Sequence, residues 1–278
     1  MAAPTAVPAT APAASPTPAD PPQQIRLQVL DANTPKSTFT DLFYLLGEAF
    51  GTSSPIWGHM YPPPRPPVEE QAAVATLQHA LDVRNPDNLY VLAIGSFPNG
   101  EERPLGLAVW GKPGYRWEPL EEETMSAEQK DAYVGYNLTF RNEWRGTLQQ
   151  HRDQLMGDEL YWYVCSSAGE RTTRSSVSPP FVPLLRYLSI LAVHPSYQKY
   201  KIGSTLIDHG LAFADTENLP VLLESSAAGR RLYESRGFVK EDEFPNCPTY
   251  EGMAEMRFPL YRRPAKGGMV QNGGPNGV

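Results

Sequence analysis

A hydrophobic run, Leu188-Ser-Ile-Leu-Ala-Val193, leads into the turn Gln198-Lys-Tyr-Lys-Ile-Gly-Ser204, which opens a helix-patterned segment. Strand, turn and helix start together make an anion site. The first turn of a helix leaves N–H groups without intrahelical partners, and the helix dipole puts positive charge at the same end. Gly203 permits close approach of the backbone to a ligand. Lys199 and Lys201 add charge, although lysines at such places are usually solvated. A second strand, Pro220–Leu223, and a second helix, Ala227–Arg236, follow and carry Tyr233 next to Leu232 on the apolar side. The chemistry open to this set is phosphate binding beside a phenol.

Other chemistries lose their support. The five histidines (59, 79, 151, 194 and 209) show no paired metal spacing, and Cys165 and Cys247 are too few for a cysteine zinc site or a disulfide framework, so no metal is expected. The glycine patterns of P-loop and dinucleotide folds and the serine-hydrolase elbow are all missing. With 24 Lys plus Arg against 31 Asp plus Glu, the net charge of -7 argues against nucleic-acid and anionic-membrane partners and suits a cationic one. No apolar run is long enough to span a membrane, and the first residues lack the pattern of a signal peptide or presequence. The two cysteines fit a reducing compartment, so an intracellular location, cytoplasmic or nuclear, is expected.

The elements that must hold the site follow from periodicity. The 278 residues include 29 prolines, about double an average share. Residues 1–24 read as a disordered Ala/Pro-rich tail and 263–278 as a flexible Gly-rich one, leaving one folded domain over 25–262. Within it, Ile25–Leu30 reads as a strand, Thr38–Phe50 and Glu69–Leu81 as helices, and Asn88–Ile94 and Leu105–Trp110 as a hairpin turning at Phe97–Gly100. Ala127–Met156 reads as a long polar helical stretch and Glu159–Val164 as a strand. Ile202–Asp215 is a helix whose Leu206, Ile207, Gly210, Leu211 and Ala214 face a core, and Phe238–Glu241 and Glu255–Phe258 are closing strands.

At Leu191-Ala-Val-His-Pro-Ser-Tyr-Gln-Lys-Tyr-Lys-Ile-Gly-Ser204 and Leu223-Glu-Ser-Ser-Ala-Ala-Gly-Arg-Arg-Leu-Tyr-Glu-Ser-Arg-Gly-Phe238 the sequence resembles the GNAT superfamily of acetyl-CoA-dependent N-acetyltransferases, most closely its fungal members. The resemblance implies an α/β fold with a twisted mixed sheet and helices on both faces. Two parallel central strands, Tyr187–Val193 and Pro220–Glu224, would splay apart around acetyl-CoA. It implies that Leu191, Ala192 and Val193 hold the pantetheine arm, that Gln198, Lys199, Tyr200, Lys201, Ile202, Gly203 and Ser204 cradle the pyrophosphate, and that Tyr233 protonates the leaving thiolate. The oxyanion donor would be the Val193 or Leu191 N–H. One position departs from the family pattern. Lys201 stands where the family has its first glycine, and its side chain either crowds the phosphates or points outward and adds an ion pair.

Other residues have plainer readings. His194 reads as a turn residue ahead of a general base. Glu224 reads as either a base or a helix-start carboxylate. Trp57, His59 and Tyr61 sit in a loop that, by resemblance, borders the acceptor pocket, and Tyr161, Trp162 and Tyr163 read as strand packing. Residues 163–186 are polar and aperiodic, too long for an ordinary loop in a compact domain. Removing them joins Leu160-Tyr-Trp162 to Tyr187–Val193 as one strand. Trp162-Tyr-Val-Cys165 is codable with a splice-donor sequence, so the segment reads as a retained intron or as a genuine loop. The expected function is acetyl transfer from acetyl-CoA to a primary amine, of a small molecule rather than a histone tail. The competing expectation is a weak or inactive member of the fold that binds acyl-CoA or serves as a scaffold. A third, an unrelated α/β phosphate binder, would prefer small nucleotides to CoA. The oligomeric state stays open.

Overall fold

The computed structural model describes residues 20–50, 55–111, 119–157, 190–226, 229–245, 247–254 and 256–266. The insertion, the strand expected at 159–164 and most of both tails lie outside them. In chain order the elements are β1 (Gln24–Leu30), α1 (Lys36–Phe50), α2 (Pro55–Met60), α3 (Val68–Asp82), β2 (Asn88–Ser96), β3 (Glu102–Gly111), α4 (Ala127–Ala132), α5 (Leu138–Met156), β4 (Ile190–Val193), a 3₁₀ turn (Pro195–Tyr200), α6 (Ile202–Glu217), β5 (Val221–Glu224), α7 (Arg230–Glu234), β6 (Val239–Pro245) and β7 (Arg257–Arg263).

Side-chain alternation along β2 and β3 decides how the layers stack. Tyr90, Leu92, Leu107 and Val109 face α1, where Phe39, Leu42, Leu45 and Leu46 cover them. Val91, Ala93, Ala108 and Trp110 face α6, which contributes Ile202, Leu206, Ile207, Leu211 and Ala214. Each of these large side chains removed from water contributes about 1.5–3 kcal/mol of gross stabilisation, so the hairpin is held from both sides. Leu105 is the extra residue of a bulge opposite Ala93 and Ile94, which turns it toward α6.

The expected mixed sheet is two antiparallel sheets among the described residues, ordered β1-β2-β3-β4 and β5-β7-β6. No ladder joins β4 to β5, so the expected parting of these strands stands as a break between sheets. On the second sheet Val221, Leu223 and Tyr261 face α6, while Leu222, Phe244 and Leu260 face Phe140, Trp144, Leu148 and Met156 of α5. The long helical stretch expected over Ala127–Met156 is two helices. α4 starts on a Ser126/Gln129 capping box. α5 restarts after Gly135, at a positive φ of 71°, with Asn137 accepting from the Phe140 N–H.

Candidate active site

The phase of the β3–β4 ladder fixes what β4 offers. The His194 N–H donates to the Leu105 carbonyl at 2.9 Å, just beyond the pairs Gly106↔Val193, Leu107↔Ala192, Ala108↔Leu191 and Val109↔Ile190. By antiparallel alternation, Ala192 and Ile190 aim their N–H and C=O groups at β3, and Leu191 and Val193 aim theirs at the other edge, which is open among the described residues. Leu191 and Val193 therefore sit where an extended ligand can pair with the strand. Ala192 is spent on β3, with its methyl buried against α1.

α6 begins beside this edge because two glycines let it lie close to β3. A Cβ at Gly106 would fall 2.7 Å from Ile202 Cγ2, and one at Gly210 would fall 2.0 Å from the Trp110 ring. The helix start has no side-chain cap, which leaves the amides of Ile202, Gly203 and Ser204 without intrahelical acceptors. Gly203 marks the meeting point: a Cβ there would lie 3.5 Å from Leu232 of α7 and 3.6 Å from Val193 of β4. Gln198, Lys199 and Tyr200 lie on the 3₁₀ turn and, with Lys201, are exposed.

Lys201 links the 3₁₀ turn to α6 with φ 60° and ψ 14°, in the left-handed region. The chain reversal needs that conformation, and glycine meets the need without Cβ strain. The departure at this position is thus a backbone matter as well as a side-chain one. Lys201→Gly is expected to stabilise the chain by about 0.5–1 kcal/mol, read as a Tm about 1–4 °C higher by calorimetry. An unchanged or lower Tm would contradict the strained assignment.

Tyr233 on α7 is buried, in one apolar cluster with Leu191, Val193, Leu223 and Leu232. Its ring meets Phe238 edge-on at 5.8 Å. The absence of a side chain at Gly229 makes room for it, since a Cβ there would lie 2.6 Å from Tyr233 Cε2. Burial pushes the hydroxyl well above the ordinary tyrosine value, so it stays protonated and able to give a proton.

His194 does not suit the role of a base. Its Nδ1 accepts from the Ser196 N–H at 3.2 Å, which places the neutral ring's proton on Nε2 as a donor. Burial lowers its pKa, against Glu48 raising it and Arg103 lowering it further. Tyr61, with Trp57 partly buried beside it, packs on the α5 side of the second sheet, and the His59 ring lies against Phe140 and Tyr250. His59 Nε2 bonds the Glu251 carbonyl at 2.8 Å, and Tyr61 is buried against Trp57 and Tyr136.

Glu224 sits at the end of β5 rather than at a helix start. Its Oε1 accepts from Arg152 Nε at 2.7 Å, with the two side chains 8% and 0% exposed. Sequence reasoning passed over Arg152 and the equally buried Arg141 and Arg145. A signal for them existed: they recur on the helical face that also carries Phe140, Trp144 and Leu148. Among the described residues, no group of three His, Cys, Asp or Glu side chains could hold a metal, and no helix is long and apolar enough to cross a membrane.

Residues 161–240 match a family model described as an acetyltransferase (GNAT) domain. The match spans 80 of the chain's 278 residues, so the likeness to that domain is established over this segment alone. No curated protein matches the chain closely enough to count as a relative. Among solved structures, the chain is similar to the histone acetyltransferase HPA2 and related acetyltransferase from Corynebacterium glutamicum, at 18% identity, 88% of this chain, 99% of that one and a TM-score of 0.49. It is also similar to the ribosomal-protein-S18-alanine N-acetyltransferase from Escherichia coli, at 13% identity, 89% of this chain, 98% of that one and a TM-score of 0.41. A fungal subtype finds no support in these comparisons.

Proposed function

We propose that this chain transfers the acetyl group of acetyl-CoA to the primary amine of a small molecule, by direct attack with both reactants bound. One observation carries the reading: the open edge of β4, the uncapped start of α6 and the Tyr233 helix converge around Gly203. The chain's own groups fit the co-substrate. Leu191 and Val193 would pair with the pantetheine amides as an added strand would. The amides of Ile202, Gly203 and Ser204 would meet the pyrophosphate, with Lys199 and Lys201 adding charge at the rim. The Val193 or Leu191 N–H would steady the developing oxyanion. As the amine's N–C bond forms and the C–S bond breaks, Tyr233 would pass its proton to the sulfur, the nitrogen would lose one of its own to solvent, and solvent would reprotonate the tyrosine. No covalent link to the protein is needed.

The acceptor class rests on lighter support. A net charge of -7 favours a cationic amine, and the two cysteines suit a reaction in the cytoplasm or nucleus. The test is release of CoA thiol from acetyl-CoA with spermidine, glucosamine and a tripeptide bearing a free N-terminus, each amide product confirmed by mass. Turnover confined to the tripeptide would move the acceptor class to proteins. Binding of acetyl-CoA without turnover on any amine would favour an acyl-CoA-binding scaffold.

A further inference from the structure

Tyr233 rides on a helix of five residues, Arg230–Glu234, too short to hold its own direction in water. The phenol is therefore aimed by whatever ties that helix to the rest of the chain. Two arginines make the tie. Arg236, just past the end of α7, forks onto Asp208 of α6, with Nε donating to Oδ1 at 2.6 Å and Nη2 to Oδ2 at 3.0 Å. Its Nη1 donates to the Leu232 carbonyl at 3.4 Å, inside the last turn of α7. Arg263 of β7 completes the link. Its Nη1 donates to Asp215 Oδ1 of α6 at 2.6 Å and its Nε to the Arg236 carbonyl at 3.0 Å. Asp208 and Asp215 stand about two turns apart, so both lie on one face of α6. We propose that this clasp fixes the Tyr233 hydroxyl relative to the co-substrate helix α6, with Arg236 and Asp208 as positioning residues. This rests on the acetyl-transfer reading above.

A short helix held at one point can roll about its own axis, and a roll would swing the phenol. α7 meets α6 at two points. Leu232 reaches the start of α6, 3.5 Å from where a Cβ of Gly203 would lie. Arg236 meets Asp208 about 7.5 Å further along the axis, at about 1.5 Å per residue. Two points fix the roll where one leaves it free. The fork adds direction to charge, which a lysine would not. Among the described residues, the other side-chain bonds of α7 stay within it or run to β7. Arg230 pairs with Glu234, and Glu234 also accepts from the Tyr261 hydroxyl at 3.4 Å. Both pairs of the clasp are partly exposed, so their contribution to stability is small and their main effect falls on geometry.

The experiment measures kcat and acetyl-CoA affinity for wild type, Asp208→Ala, Tyr233→Phe and the double variant, with whichever amine of the panel above turns over fastest. The Asp208 side chain is more than half exposed and alanine suits a helix interior, so D208A should fold with a Tm within about 3 °C of wild type. Its kcat should fall about tenfold, since a displacement of about 1 Å can cost as much as a hundredfold, with acetyl-CoA affinity unchanged within twofold. In the Y233F background the same substitution should change kcat less than twofold, because the hydroxyl it positions is gone. A merely structural role would lower kcat by the same factor in both backgrounds. That equal fall, a D208A kcat within threefold of wild type, or a loss carried by acetyl-CoA affinity overturns the proposal and leaves acetyl transfer standing. Should D208A not fold, Arg236→Lys, which keeps the charge and loses the fork, takes its place with the same expected and contrary results. Turnover by Y233F within threefold of wild type overturns the clasp and the role of the tyrosine together. No turnover by wild type with any amine overturns the functional reading itself.

Discussion

Tyr233→Phe is expected to lower kcat about a thousandfold while acetyl-CoA binds as before. The substitution removes one oxygen and keeps the ring. The ring is what packs: it lies in the cluster with Leu191, Val193 and Leu232 and meets Phe238 edge-on. Because volume is conserved, the change in stability should stay below about 1.5 kcal/mol, so a loss of activity would belong to the hydroxyl. Burial holds that hydroxyl well above the ordinary tyrosine value. It therefore remains protonated through the neutral range, and no fall in rate from its ionisation should occur below about pH 10. Steady-state kinetics with calorimetric affinity check both halves. A kcat within threefold of wild type would reduce Tyr233 to a packing residue.

Arg152→Ala should be the most damaging single change to stability. The Arg152–Glu224 pair is buried at 0% and 8% exposure, and removing one partner of a buried pair costs about 3–5 kcal/mol because the other charge stays buried. The loss should depend on pH with a definite sign. The folded-state value of Glu224 already lies above its ordinary 4.5, so the unfolded chain releases this proton first. Stability from the group is complete below 4.5 and declines as pH rises through the folded value. Without Arg152 that value rises further, and a neutral, protonated Glu224 is far cheaper to bury. Urea denaturation should therefore show the full penalty at pH 7 and a smaller one near pH 5. An equal penalty at both would mean that Arg152 acts through packing rather than charge.

Much of the frame was legible in the sequence because apolar periodicity reports burial directly. The face of α6 read from Leu206, Ile207, Gly210, Leu211 and Ala214 is the buried face, and the turn at Phe97–Gly100 joins β2 to β3. Strand ends were less legible. β6 runs on through Asp242, Glu243 and Phe244 to Pro245, since ladder pairing with β7 overrides the low strand preference of its acidic residues. The division between α4 and α5 escaped because a left-handed glycine at Gly135 interrupts a segment whose composition stays helical. At the candidate site, the turn over Gln198–Ser204 and the short helix carrying Tyr233 were legible as structure because their patterns are local in sequence. The Arg152–Glu224 pair was not. It joins residues 72 positions apart, and a buried cation looks like a surface one until its partner is known. Ala192 shows the same limit: ladder phase, set by the His194–Leu105 bond, decides which strand residues face the opening.

Titration calorimetry of the full chain with acetyl-CoA, and separately with ADP, tests the co-substrate site most directly. One site of micromolar affinity, about -8 kcal/mol, is expected for acetyl-CoA. ADP should bind at least tenfold more weakly, because it engages the start of α6 but has no pantetheine arm to pair with Leu191 and Val193. Absence of acetyl-CoA binding up to millimolar concentration, or equal affinity for the two ligands, would contradict the assignment of β4 and α6 as an acetyl-CoA site.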